Sequence, residues 1–305
     1  MKYRGALHHS LFLPEFVHGD CRSAPEIRPD LIGKVTLVVT SPPYHNAISY
    51  ESHAANPNEN YRPRQGIDYS SDYLPLIGSS WDAMWVLLRP GGYLAVNVGT
   101  VLEQGHHYPL PMDVLTQLMN SPRNWSFVRS IIWHKVTAGV KRAGSVIQHK
   151  LPGYWYPNIM TEHIVVVRKR GPRLRLNRDV PKEWWEDVWD IAPVPPRSVA
   201  HPAPFPEDLP HRLIRMLTQP TEIVVDPFNG AGATTKAAYD LGRRSVGFDL
   251  EQKYIDVATS RVSAESAVRV SQLRINPVDE KDFTPKKMRG RTRHGAGLSA
   301  RTRLL

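Results

Sequence analysis

Two short stretches of this chain carry the residue types that chemistry would need. The first is Thr40-Ser41-Pro42-Pro43-Tyr44, directly after the apolar run Val35-Thr36-Leu37-Val38-Val39. Two consecutive prolines fix φ at two positions and remove two backbone donors. Carbonyls there join neither a helix nor a ladder, so they are left to face a ligand. A tyrosine ring follows at once on a stiff support. Acceptors beside an aromatic ring suit a flat group bearing an amino substituent, such as a nucleobase. The second stretch is Val224-Val225-Asp226-Pro227-Phe228-Asn229-Gly230-Ala231-Gly232-Ala233-Thr234. Its glycines let backbone approach a ligand closely. Asp249, about 20 positions beyond the glycine turn, stands where a ribose diol is held in nucleotide-binding folds. The loop has neither Gly-Lys-Ser/Thr nor a third fingerprint glycine, so a nucleoside without a pyrophosphate fits best.

The elements that must position these residues alternate between strand and helix. Val35–Val39 is short and β-branched and ends at a breaker, as a buried parallel strand does. A helix is expected from about Ser71 to Leu88, stopping at Arg89-Pro90-Gly91-Gly92. Strands are expected at Phe16–Gly19, Tyr93–Val98, Phe127–Trp133, Glu162–Val167, Ile223–Val225 and Ser245–Phe248. Further helices are expected at Pro111–Met119, Glu207–Leu217, Ala233–Leu241 and Gln252–Val262. This rhythm predicts an α/β fold with a sheet covered on both faces. Ligands then bind at the carboxyl ends of the strands.

Length and composition narrow the class. The 305 residues are 41% hydrophobic, enough for one large core, and no apolar run is long enough for a membrane span. Leu11-Phe12-Leu13 is too short for a signal peptide, so a cytoplasmic, nucleoid-associated protein with no membrane partner is expected. Cys21 is the single cysteine, which excludes an internal disulfide and Cys-rich zinc patterns. The net charge of +10 favours a polyanionic partner. Much of that excess lies in Lys286, Lys287, Arg289, Arg291, Arg293, Arg301 and Arg303, in a stretch without acidic residues. This tail either holds phosphates or is a solvated terminus.

Together the two motifs resemble those of amino-group DNA methyltransferases. Ser41-Pro42-Pro43-Tyr44 is similar to their catalytic motif and Asp226-Pro227-Phe228-Asn229-Gly230-Ala231-Gly232 to their S-adenosylmethionine motif. Catalytic motif first and cofactor motif last is the order of the permuted β-type class. Arg89–Val98, Glu162–Val167, Trp189-Asp190-Ile191 and His201–Pro206 extend the resemblance from about His18 to Val262. It implies a Rossmann-like, doubly wound, mostly parallel seven-stranded sheet with circularly permuted motif order. The expected organisation is one methyltransferase domain over 1–265, with recognition loops at about 45–68, 136–158 and 168–200, and a basic tail over 266–305. The serine form of the motif is most typical of cytosine N4 methylation in double-stranded DNA; N6-adenine methylation shares the pocket logic. A catalytically silent relative, or an enzyme acting on RNA or protein, is more remote.

The resemblance assigns roles residue by residue. The Pro42 carbonyl and Ser41 hydroxyl accept from the exocyclic amine, Pro43 stiffens the turn, and Tyr44 stacks on the extruded base. Thr40, Asp226, Pro227, Phe228, Asn229, Gly230 and Gly232 surround the cofactor, and Asp249 and Leu250 hold its ribose side. Asp20 and Cys21 lie on the cofactor side, where Asp20 accepts from the adenine amino group or caps a turn. Phe205 lines the pocket or simply packs. Thr234 caps or packs its helix. Cys21 has no preceding proline, which argues against the thiolate chemistry of cytosine C5 methylation. No Pro-Cys-x-x-Cys zinc deaminase motif is present, and no metal is expected. Lys135, Lys141, Arg142, His149, Lys150 and the basic run 168–178 are candidates to meet phosphates or guanine edges. A cognate restriction endonuclease is a possible partner; a monomer and a dimer are both compatible with the sequence.

Overall fold

The structure is a computed structural model that describes residues 12–43, 68–103, 106–136, 159–194 and 206–275. The main sheet contains β1 (Glu15–His18), β2 (Val35–Thr40), β3 (Leu88–Val98), β6 (Trp125–Lys135), β7 (Thr161–Lys169), β8 (Val188–Ile191), β9 (Ile223–Asp226) and β10 (Arg244–Asp249). Their spatial order is β1-β10-β9-β2-β3-β7-β6-β8. Only β7 runs antiparallel to its neighbours, β3 and β6. A separate hairpin pairs β4 (Val101–Glu103) with β5 (His106–Tyr108).

The expected α/β fold is therefore present, with two differences in detail. The sheet has eight strands rather than seven, because the Trp189-Asp190-Ile191 stretch forms β8 on the edge beside β6. Arg89-Pro90-Gly91-Gly92 is not a break between helix and strand. The helix α2 (Leu74–Leu87) passes straight into β3, and the irregularity is absorbed as a register shift between Val35 and Leu37 on β2. Gly91 makes this possible with φ of 86°; a Cβ there would stand 2.1 Å from the Pro172 carbonyl oxygen.

Alternation along the strands builds two core layers. Val38, Leu94, Val96, Val165 and Val225 pack with Ile77, Trp81, Met84 and Leu87 of α2 and with Leu110, Val114 and Leu118 of α3 (Leu110–Asn120). Leu37, Val39, Ala95, Val166 and Val224 face the other way. They meet Leu209, Leu213 and Ile214 of α4 (Asp208–Leu217) and Ala237 and Ala238 of α5 (Ala233–Asp240). A short α1 (Ala24–Ile27) follows β1.

The last helix, α6, runs from Gln252 to Ile275, well beyond the expected Val262. No glycine or proline interrupts the sequence before Pro277. The chain divides into a compact unit, Met1–Ala264, and a second unit, Glu265–Leu305. Among the described residues no helix is long and apolar enough to cross a membrane.

Candidate active site

The site begins where β2 and β9 lie side by side, pairing Leu37 with Val224 and Val38 with Val225. From β2 the sheet grows one way through β3, and from β9 the other way through β10 and β1. This is the switch point at which open α/β sheets leave a crevice. The two motifs, remote in sequence, thus end side by side.

A buried carboxylate joins them. The Thr40 hydroxyl donates to Asp226 Oδ1 at 2.7 Å, and the Phe228 N–H donates to the same oxygen at 3.0 Å. The Thr234 hydroxyl donates to the Val39 carbonyl at 3.5 Å, and its proximity favours the charged form of Asp226. Burial pushes the Asp226 carboxyl up to about 6, against these stabilising hydrogen bonds. Thr40 and Thr234 are fully buried, so both act as ties beneath the site.

Past Asp226 the chain turns over Pro227, which is buried, and Phe228, which meets the Trp81 ring edge-on at 6.3 Å. Asn229 is buried; its N–H donates to the Phe248 carbonyl and its Oδ1 accepts from Thr235. Its amide therefore shapes the loop. Gly230 and Gly232 have φ of 48° and 81°. A Cβ on Gly232 would stand 2.9 Å from that of Ala258. The Gly230 N–H donates to Asp249 Oδ2 at 2.8 Å, and the Glu251 N–H to Oδ1 at 2.9 Å. A carboxylate has about four acceptor positions, so Asp249 keeps capacity for a diol. Burial raises its pKa, opposed by these backbone donors.

Residues from β1 close the side of the crevice. The Gly19 N–H donates to the Asp249 carbonyl, and a His18 ring nitrogen lies 3.0 Å from the Leu250 carbonyl. Leu250 itself is exposed. The Asp20 carboxylate caps the turn at Cys21–Ser23 and pairs with Arg22, which holds it below the usual carboxylate range. The capping role anticipated as one alternative is thus filled. Cys21 is buried, 3.5 Å from Ser80 Oγ, and burial pushes its thiol up to about 11. A thiol held protonated and buried is no nucleophile, in keeping with the rejection of C5 chemistry.

In the turn after β2, Ser41 and Pro43 are half-buried and Pro42 is buried. The Tyr73 hydroxyl donates to the Pro43 carbonyl at 2.7 Å. Tyr73 was not anticipated. It stacks with Tyr69, whose hydroxyl donates to Asp113 at 2.6 Å. Tyr44 and Phe205 lie outside the described residues, as do 45–67, 137–158, 195–200 and the tail beyond Ile275. Gly247 also escaped notice, although a glycine inside a strand is a signal of close approach. A Cβ there would meet Asn229 at 2.4 Å.

Two of the basic candidates fall elsewhere than expected. Lys135 is ion-paired with the buried Glu162. Arg168 pairs across the ladder with Tyr93, midway along β3 and three residues before Val96, the partner of Thr40. Five steps of strand separate Tyr93 from Val98, or about 17 Å. The run 168–178 therefore starts away from the end of β2 that leads into Ser41. Lys169 is built into the core there, donating to the Trp85 and Leu88 carbonyls at 2.8 and 2.7 Å. Among the described residues no three metal-ligating side chains cluster.

The DNA methylase family model for N6 and N4 transfer matches residues 35–260. The chain belongs to that family. Type II methyltransferase M.MjaI of Methanocaldococcus jannaschii is 25% identical over 279 residues, spanning 81% of this methylase and 90% of the relative. TTHA0409 of Thermus thermophilus, solved in complex with S-adenosyl-L-methionine, superposes with a TM-score of 0.59 at 28% identity. That match covers 83% of this chain and 95% of the other. The cytosine-N4-specific PvuII DNA methyltransferase shares the fold with a TM-score of 0.63 at 20% identity, covering 81% and 85%.

The methylase uses S-adenosylmethionine, and the crevice fits it. Gly230 and Gly232 take left-handed backbone conformations just before α5, and the Asp249 carboxylate stands at the end of the adjacent strand. No phosphate-binding pattern competes with that assignment.

Proposed function

We propose that this methylase modifies the exocyclic N4 of a cytosine extruded from duplex DNA. The observation that carries the reading is the serine of Ser41-Pro42-Pro43-Tyr44, held at the end of β2 beside the Asp226–Gly232 loop. S-adenosylmethionine supplies a methyl group on a sulfonium sulfur, which calls for in-line approach by the amine nitrogen. Pro42 offers its carbonyl and Ser41 its hydroxyl oxygen to the two N–H groups, drawing the nitrogen out of conjugation with the ring. Tyr73 already donates to the Pro43 carbonyl, which favours the Pro42 carbonyl as the acceptor for the amine. Tyr44 stacks on the base and offsets part of the few kcal/mol needed to extrude it. Asp249 and Leu250 flank the ribose, and Phe228 and Phe205 line the nucleoside. Most of the rate gain comes from positioning.

The polar stretches 45–68 and 136–158 read the DNA, and the basic tail adds phosphate contacts. A partner restriction endonuclease belongs to this reading, since the chain resembles type II methyltransferases. The test is expression in a host free of DNA methylation, followed by nucleoside analysis and base-resolution mapping. N4-methylcytosine at one short sequence is expected. N6-methyladenine without N4-methylcytosine would overturn the choice of base.

A further inference from the structure

A file of polar side chains crosses three strands at the catalytic edge, and its last atom has no partner. Lys135 ends β6, and its Nζ donates to Glu162 Oε1. Glu162, near the start of β7, is buried. Its Oε2 accepts from Asn97 Nδ2 on β3 at 2.5 Å. Asn97 is 2% exposed, and its Oδ1 has no hydrogen-bond partner among the described residues. A carboxylate neutralised by a lysine only accepts. Asn97 must therefore turn its NH2 toward Glu162 and its oxygen away, so the cation on Lys135 sets the polarity of the whole file.

The ladder shows where that oxygen belongs. Thr40 pairs with Val96, so Ser41 and Asn97 follow one step further along neighbouring strands. Asn97 in turn pairs with Ile164, two residues from Glu162 on the same face of β7. No hydrogen bond of the Ser41 hydroxyl is seen among the described residues, one to Asn97 Oδ1 included. A hydroxyl facing an amine must present a lone pair, so its own proton needs an acceptor elsewhere. Buried orphan acceptors are rare enough to require a role.

We propose that Asn97 is the positioning residue for Ser41: its Oδ1 takes the Ser41 hydroxyl proton as the target amine binds and turns an Oγ lone pair toward it. The inference rests on the reading of Ser41 and Pro42 as the amine acceptors. In the full chain it assigns each direction: Lys135 and Asn97 donate to Glu162, Ser41 donates to Asn97, and the amine donates to Ser41. Because Lys135 and Glu162 flank 136–158 in sequence, the same file links the stem of a proposed DNA-reading stretch to the catalytic turn.

A double-mutant cycle on the full-length protein tests it, using S41A, N97A and S41A/N97A with a duplex carrying the mapped site. Asn97→Ala is expected to lower kcat about tenfold, with KM for DNA and the Kd for S-adenosylmethionine within about twofold of wild type. In the Ser41→Ala background the same change should have no further effect, because its route is already gone. Losses that multiply would overturn the inference, as would an unchanged kcat in N97A. Glu162→Gln keeps the packing and provides the second variant should N97A not fold. Its kcat loss must likewise vanish beside Ser41→Ala, and persistence of the loss would overturn the inference. Transfer to adenine in place of cytosine would sink the proposed base but leave this cycle readable, since both targets present an amine.

Discussion

Thr40 donates its hydroxyl to the Asp226 carboxylate at 2.7 Å, tying the last residue of β2 to the last residue of β9. Neither side chain reaches solvent. This buried hydrogen bond adds to the β2–β9 ladder in holding two motifs far apart in sequence side by side. The cost of this arrangement is a carboxylate without water, and it gives stability a pH dependence.

Burial raises the Asp226 pKa from the usual 3.8 to about 6. Between those values the native state holds a proton that the unfolded chain has released. Stability therefore falls as pH rises through that window, by up to about 3 kcal/mol, and levels off above it. Asp226→Asn should flatten the fall. Melting temperatures of both proteins from about pH 4 to 7 check this; parallel curves would contradict it.

Asp249 holds the glycine loop through Gly230 and keeps capacity for the ribose. Asp249→Ala should raise the cofactor Kd by about 10- to 100-fold, the range for losing hydrogen bonds to a charged group. Calorimetry with S-adenosylmethionine reads it directly. An unchanged Kd would remove Asp249 from the ribose assignment.

Gly247 gives Asn229 the space a Cβ would fill. Gly247→Ala should displace Asn229, lower stability by about 1–3 kcal/mol and weaken cofactor binding together with it. Denaturant unfolding and calorimetry on the same samples test the coupling. Wild-type stability would mean that the strand yields more easily than the packing implies.

Tyr44→Ala should cut turnover while leaving cofactor affinity almost intact. Loss of base stacking amounts to about 1–3 kcal/mol, or roughly 5- to 150-fold. Single-turnover rates at saturating DNA measure the effect. Equal losses in turnover and cofactor affinity would assign the tyrosine a structural role.

Removal of residues 285–305 takes away seven cations and no anion. DNA affinity should fall, and the slope of log K against log salt should shrink by about 0.9 for each phosphate the tail had neutralised. Titrations at several salt concentrations decide it. An unchanged slope would mark the tail as a bystander.

The fold and the pocket were legible because their signals are local. Val35–Val39 and Val224–Val225 are short β-branched runs ending at breakers, and Gly230 and Gly232 do have positive φ. What escaped was set by tertiary neighbours. Asn229 looks like a ligand residue until Gly247 and Thr235 are seen to hold it. Lys135 looks like a phosphate contact until Glu162 appears beneath it. Arg168–Arg178 resembles a DNA-reading run, yet the antiparallel direction of β7 carries its start away from the end of β2 that leads into Ser41. Tyr73 gave no signal in sequence, because its partner is a carbonyl thirty residues earlier.

That carbonyl bears on how a reaction cycle ends. With Tyr73 donating to Pro43, the acceptors proposed for the amine are Pro42 and Ser41. On the proposed reading a primary amine satisfies both, whereas a methylated amine has one N–H left. The product leaves one acceptor idle and loses about 0.5–1.5 kcal/mol of hold relative to the substrate. The turn would then favour departure of the modified base and disfavour a second methylation of the same nitrogen.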